Sequence, residues 1–366
     1  MSIETPPPGT ALDRIYGCLI AGAIGDALGA PVEGWSYHRI REEYGRVEEF
    51  MPYSCGYSTG KPGVVTDDTT LRHYICYAIV QRGGRITPDE LGEIWHEHLN
   101  PDRLWDNETL VSKKIAVGMN PWETGQGTIP SGVASMAIEP IGIVNAGDPR
   151  QAYQDAFTIA SINQEGVNRD AAAAFAAGIA HAFSRDATVE SVVRTIREQS
   201  SSVFGRAIDL TMDVAYDSSD VDEFAERFYD ELLDWSWPIR GWDLETYYAG
   251  EFFSGHSHEF VPAALAITYL CDGAVEPSII EGASFGRDCD TISKLCGNIT
   301  GALHGTGPIR DEWIEVVEEA NGPFFEELEG DPDANFFSMA ERIVEALANE
   351  ADRAGEREDE LRALFG

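Results

Sequence analysis

Two short acidic clusters, Thr66-Asp67-Asp68-Thr69 and Asp288-Cys289-Asp290-Thr291, gather oxygen donors at widely separated places in the chain. Each has a plain reading as a helix cap, since acidic and hydroxyl side chains satisfy free N–H groups and complement the positive end of the helix dipole. Each also holds more donors than one cap requires. Adjacent carboxylates repel, and burying them without a cation is costly. The donors are hard oxygens, with no His or Cys at ligand spacing nearby, a set that selects Mg²⁺ or Mn²⁺ over zinc. Together the clusters have donors enough for two cations. A third element is Gly22-Ala23-Ile24-Gly25-Asp26-Ala27-Leu28-Gly29, with Glu33 shortly after it. Glycines at this spacing let a second backbone approach a helix closely. Asp26 lies within that small-residue surface, where a carboxylate needs a partner, and Glu33 is placed to point into the same cleft.

The elements that must position these groups are helices. Apolar residues recur at helical spacing over 11–29, 68–81, 88–99, 107–117, 150–162, 169–183, 189–198, 204–215, 221–233, 260–270, 291–303, 311–318 and 334–348. Proline and glycine punctuate them. Strand-like runs are short and isolated, as at 47–51, so the expected fold is all-α and compact. The expected organisation is a flexible N-terminus over 1–10, one domain over 11–348, and a charged, peripheral C-terminal helix over 349–366. Residues 234–260, rich in aromatics and glycine, read as a long ordered loop of functional type.

Composition narrows the setting. Asp and Glu number 63 against 26 Lys and Arg, a formal charge of −37 spread along the whole chain. A carboxylate-coated surface suits a cytoplasm at very high salt, where self-repulsion is screened, so the expectation is a halophilic protein. The same charge argues against nucleic acid or an anionic membrane as partner. Six cysteines show no paired spacing and read as reduced thiols. No signal peptide is evident, and no apolar stretch reads as long enough to span a bilayer, which gives a cytoplasmic expectation. A monomer or small homo-oligomer fits the sequence equally.

The three elements together resemble the ADP-ribosylglycohydrolase family, which includes the dinitrogenase reductase-activating glycohydrolase and the ADP-ribosylhydrolases. The matching pieces are Gly22-x-x-Gly25-Asp26-x-x-Gly29, Thr66-Asp67-Asp68-Thr69 and Asp288-x-Asp290-Thr291, the last continuing through Gly297, Gly301-Ala302 and Gly305 to Trp313. The likeness runs from about residue 12 to residue 315. It implies a compact all-α fold with a dinuclear Mg²⁺ or Mn²⁺ centre, whose ligands would be Thr66, Asp67, Asp68, Asp288, Asp290 and Thr291. It also implies hydrolysis of a glycosidic bond at the anomeric carbon of an ADP-ribosyl group, with Glu33 or Asp67 as the carboxylate that handles the proton. Asp26, Ser131, Gly132 and Arg287 are the expected substrate contacts. The alternatives are a metal-dependent hydrolase of a phosphorylated nucleoside and a non-catalytic binding or structural member.

The chain departs from the family pattern mainly around the substrate. Gly286-Arg287 replaces the usual pair of small residues before the second cluster. Arg287 then reads either as a phosphate contact or as a counterion of the acidic site. In Pro130-Ser131-Gly132-Val133-Ala134-Ser135-Met136, Ser131 stands where Asn is usual and the customary Arg is missing. The histidine expected after a mid-chain helix is absent from Ser161-Ile162-Asn163-Gln164-Glu165. These changes leave room for a small nucleoside or nucleotide-like substrate. His256 and His258 read as surface or substrate contacts, and Cys289 as a small buried filler.

Overall fold

Apolar residues at helical spacing become helices throughout. In the computed structural model, which describes residues 6–53, 60–233 and 255–365, every regular element among the described residues is helical. Helices α1 (Ala11–Gly29), α2 (Tyr37–Tyr44), α3 (Asp67–Arg82), α4 (Pro88–His98), α5 (Asp106–Ala116) and α6 (Glu139–Val144) come first. Then follow α7 (Pro149–Ile159), α8 (Gly166–Ala182), α9 (Val189–Gln199), α10 (Ser202–Tyr216) and α11 (Val221–Arg227). After residues outside the described set come α12 (Ser257–Leu270), α13 (Val275–Ser284), α14 (Cys289–His304), α15 (Asp311–Glu329) and α16 (Phe336–Leu364).

The centre of the fold is the pair α1 and α14. Both are sheathed on all sides, and one hydrophobic core extends from Ile15 to Ala346. Glycine makes the pairing close. A methyl group at Gly29 would sit 2.5 Å from Cα of Asp290, and one at Gly282 would sit 2.7 Å from Cα of Ser293, so α1 and α13 both press directly on the α14 backbone. Gly25 abuts Ser293, Gly297 abuts Ala21, and Gly301 abuts Gly17 in the same way. Without side chains between them, the two backbones meet at the distance glycine alone permits. This contact brings the end of α1 against the start of α14, and so Glu33 toward Asp288 and Asp290.

One expectation is corrected here. Ala11–Val32 spans 22 residues with a mean hydropathy of 1.5, which is long and apolar enough to cross a membrane. In the fold 94% of its apolar window is buried, because it is the central core helix. The 47–51 run forms no strand. Helix α2, with the sequence YHRIREEY, carries too few apolar residues to be visible as a period, and only Tyr37 and Ile40 are buried. Helix α16 is unbroken through 29 residues; it is buried in turns up to Ala346 and exposed from Ala351 to Phe365, so its charged end is peripheral. Of the expected 234–260 loop, residues 234–254 lie outside the described set, as does Cys55. The other five cysteines are free thiols.

Candidate metal centre and its cavity

Both acidic clusters lie at helix starts, but their side chains are used differently. Thr66 caps α3, its hydroxyl accepting from the Asp68 N–H at 3.2 Å. Asp288 occupies the N-cap position of α14, yet its carboxylate makes no capping hydrogen bond. It is left for something else.

The tip of α3 is held from beneath. Asp26, fully buried in α1, accepts the Thr66 N–H at 2.9 Å on one oxygen and the Thr69 N–H at 3.1 Å on the other. Both its oxygens are therefore spent on orienting the turn that presents Asp67 and Asp68, and Asp26 does not line the cavity. The second cluster joins the first through Thr291, whose hydroxyl donates to Oδ2 of Asp68 at 2.8 Å. Glu33, Asp288 and Asp290 each bring a carboxylate oxygen within 4.8 Å of the other two.

These groups floor a cavity of about 380 Å³. Glu33, Asp67, Asp68, Asp288, Asp290 and Thr291 line it on one side, with Ser131 and Gly132 beside them. Leu104, Trp105, Val133, Met136 and Phe260 form a largely apolar wall, and Asp102 and Glu108 add two more carboxylates. Gln164 braces the Ser131 loop: its Oε1 accepts the Ser131 N–H at 3.2 Å and its Nε2 donates to Ser131 Oγ at 3.1 Å.

Electrostatics follow from crowding. Burial, reinforced by Asp288, Asp67 and Asp26, pushes the Glu33 carboxyl well above its ordinary range. Burial and then Asp26 lift Asp67 to about 7. Asp288 is also pushed up to about 7, chiefly by burial. Asp68 and Asp290 are raised well above the usual range, again by burial first. Such a group of acids is unfavourable by itself and suits a cation. The fit to a divalent ion has direct support in Asp290, whose buried Oδ1 has no hydrogen-bond partner. A buried carboxylate oxygen without a donor, among hard-oxygen neighbours, matches what Mg²⁺ or Mn²⁺ requires.

Five of the six expected ligands line the cavity. Thr66 does not: its hydroxyl caps α3 and its N–H goes to Asp26. Ser131 and Gly132 lie at the cavity as expected. Arg287 does not reach it. That side chain is fully buried and engages Glu259 through Nε and through a 2.8 Å bond from its second terminal nitrogen to Oε2. It is a counterion, but of Glu259 on α12 rather than of the acidic floor. Cys289 is buried, and its thiol points at the Gly29 carbonyl at 3.5 Å, as a filler would. The rings of His256 and His258 stack with centroids 5.2 Å apart and do not line the cavity. Sequence reasoning missed Asp102, Trp105, Glu108 and Phe260, which stand singly in the sequence and converge only in the fold.

A model of the ADP-ribosylglycohydrolase family matches residues 7–353. The chain belongs to the ADP-ribosylglycohydrolase family. Among curated relatives, the uncharacterized protein YegU of Escherichia coli is 24% identical over 323 residues, a match covering 81% of this chain and 89% of that protein. An uncharacterized protein of Archaeoglobus fulgidus is 27% identical over 325 residues, covering 86% and 94%. A solved structure titled an ADP-ribosylglycohydrolase-related protein complex superposes with a TM-score of 0.62 at 18% identity, covering 91% of this chain and 97% of that one. That likeness is one of fold. The all-α ADP-ribosylglycohydrolase architecture is thus this chain's architecture, and glycohydrolase chemistry is the chemistry of its family.

Proposed function

We propose that this protein is a metal-dependent glycohydrolase that cleaves the glycosidic bond at the anomeric ribose carbon of an ADP-ribosyl or related nucleosidic substrate. The reading is carried by one observation: Glu33, Asp288 and Asp290 bring carboxylate oxygens within 4.8 Å of one another on the floor of a cavity large enough for a ligand. Asp67, Asp68, Asp288, Asp290 and Thr291 would hold two Mg²⁺ or Mn²⁺ ions there. Such ions, when bound, supply Lewis acidity that activates water and orders ribose hydroxyls.

The protein's own groups supply the rest. Cleavage at an anomeric carbon builds positive charge on the ribose, and the carboxylate floor favours that charge. Proton transfer works best with a group whose pKa is near the working pH. Glu33 and Asp67, both at the cavity, are the carboxylates offered for that role, and bound cations would lower both from their raised values. Leu104, Trp105, Val133, Met136 and Phe260 offer a face for a planar base, while the Ser131–Gly132 loop flanks the ribose end. The acidic surface disfavours nucleic acid and anionic membrane as partners, while high salt would screen its repulsion of an anionic ADP-ribosyl substrate.

The test is a hydrolysis screen in high salt with Mn²⁺ or Mg²⁺, covering ADP-ribosyl-arginine, ADP-ribosyl-serine, O-acetyl-ADP-ribose and simple nucleosides, beside an Asp290→Ala control. Release of free ribose or ADP-ribose by the wild type and not by the control is the expected result. A control as active as the wild type would remove the acidic cluster from the mechanism.

A further inference from the structure

Glu33 and Asp288 flank the close contact of α1 with α14, and beyond that contact a short pairing of irregular backbone ties their two segments together. The Gly34 N–H donates to the Arg287 carbonyl at 2.8 Å, and the Arg287 N–H donates to the Trp35 carbonyl at 2.7 Å. Tyr229 adds a third tie, its hydroxyl accepting from the Tyr37 N–H at 2.9 Å and donating to the Phe285 carbonyl at 3.0 Å. Glu33 directly precedes the first of these contacts and Asp288 directly follows the second.

The pairing needs two consecutive residues in the left-handed region. Gly286 has φ of 79°, and a methyl group there would lie 2.6 Å from the Trp35 carbonyl oxygen, so only glycine fits. Arg287 has φ of 62°, one of two non-glycine residues with positive φ among the described residues. A side chain with Cβ is disfavoured in that conformation, which persists where surrounding contacts over-determine it. For Arg287 such a contact is present. Its buried guanidinium is forked onto Glu259 in the first turn of α12. The turn leading into that helix also holds the Ser131–Gly132 edge of the cavity, where the Gly132 N–H bonds the Gly255 carbonyl.

We propose that Arg287 is a positioning residue for the metal centre: its ion pair with Glu259 holds residue 287 in the left-handed conformation that sets Glu33 beside Asp288. The inference rests on the reading of the acidic floor as a cation site. It gives a chain-specific purpose to the one large residue where the family pattern has a small one.

The experiment separates backbone conformation from charge. In a Glu259→Gln background, Arg287→Gly and Arg287→Ala both lose the cation, but glycine enters the left-handed region freely and alanine does not. Mn²⁺ affinity is measured for each by calorimetry in high salt, with thermal melts to confirm folding. The expected result is that the glycine variant binds within about twofold of wild type and the alanine variant about tenfold more weakly, the factor associated with about 1.4 kcal/mol. Equal affinities for the two variants, or a glycine variant weaker than alanine, would overturn the proposal. Should the glycine variant not fold, single Arg287→Gly with Glu259 intact supplies the same comparison against Arg287→Ala. A wild-type protein that binds no Mn²⁺ would instead sink the proposed function, so the two failures are distinct.

Discussion

The hydroxyl of Thr291 donates a 2.8 Å hydrogen bond to Oδ2 of Asp68, joining two acidic clusters that lie 223 residues apart in the chain. The bond aligns the Asp68 carboxylate of α3 with the start of α14. Thr291→Val removes the donor, and with it a hydroxyl oxygen proposed to hold the cations, and leaves Asp68 with one fewer stabilising contact. Mn²⁺ affinity should fall about tenfold, in keeping with the loss of a hydrogen bond to a charged group of about 1.5–3 kcal/mol. Thr291→Ser should retain most of the binding. Calorimetric titration reads both, and a valine variant that binds like wild type would show that Thr291 does not organise the site.

Protonation provides an independent check. Asp67 and Asp288 are raised to about 7 in the folded protein, against about 3.9 for an unfolded Asp. Between those values the folded state holds more protons than the unfolded state. Stability of the cation-free protein should therefore be greatest on the acid side of this window and decline as pH rises from about 4 through about 7, with Glu33, Asp68 and Asp290, also raised well above their ordinary range, adding to the decline. Divalent cations should restore what is lost at neutral pH and release protons as they bind. Urea melts across pH at fixed high salt, with and without Mn²⁺, measure the slope. Chelated protein whose stability rises through the same window would contradict the arrangement.

The chemistry was legible in the sequence to the extent that it was local. Helix α1 was readable to the residue, because Gly22, Gly25 and Gly29 and the apolar residues between them leave few alternatives to a close-packed core helix. Asp67, Asp68, Asp288, Asp290 and Thr291 stood out because adjacent acids are costly without a cation. The fate of Arg287 was not readable. Its partner Glu259 lies 28 positions away, and nothing local distinguishes a guanidinium that faces a cavity from one that turns to a neighbouring helix. The same holds for Asp26, which spends both oxygens on the backbone of another element. Helix α2 escaped notice because six of its eight residues are not buried, and period-based reading needs a buried stripe.

The glycine contact at the site offers a steric test. A methyl group at Gly29 would lie 2.5 Å from Asp290 Cα and 2.6 Å from its nitrogen, both backbone atoms that cannot swing aside. Gly29→Ala should therefore displace α14 or strain α1, costing roughly 1–3 kcal/mol. It should also weaken Mn²⁺ binding, because the displaced atoms belong to Asp290, one of the proposed ligands. Gly355→Ala, in the exposed end of α16 with open space around it, should stabilise slightly or be neutral. Chemical denaturation of both variants decides the matter, and a Gly29→Ala protein as stable as wild type would place the two helices further apart than described.

Surface charge predicts the response to salt. With 63 acidic and 26 basic residues, self-repulsion acts over roughly 10 Å at 0.1 M salt and about 3 Å at 1 M. We expect the melting temperature to climb steeply between those concentrations and the activity to follow. Melts in KCl from 0.1 to 3 M test this, and a flat profile would remove the halophilic reading.

Behind the acidic floor lies a second set of charges whose hierarchy can be predicted. Lys294 lies one turn beyond Asp290 on α14 and donates to the Met136 carbonyl and, at 2.7 Å, to Oε1 of Glu139. The same oxygen accepts from Arg72 of α3 at 3.4 Å and from Asn298 at 3.2 Å. All three ionisable side chains are fully buried. Two cations thus share one carboxylate, and the substitutions are not equivalent. Lys294→Met leaves Arg72 and Glu139 as a neutral pair and removes a donor from three acceptors, the Met136 carbonyl, Glu139 Oε1 and Asn298 Oδ1, a loss of about 1–3 kcal/mol. Glu139→Gln leaves two buried cations with no anion between them, for which about 3–5 kcal/mol is expected. Glu139 should therefore prove the more costly of the two to neutralise, although lysine is the rarer residue in this chain. Denaturant titration of both variants at one salt concentration gives the order, and a Lys294→Met protein less stable than Glu139→Gln would mean that the ammonium, through the wall it holds at Met136, matters more than the balance of buried charge.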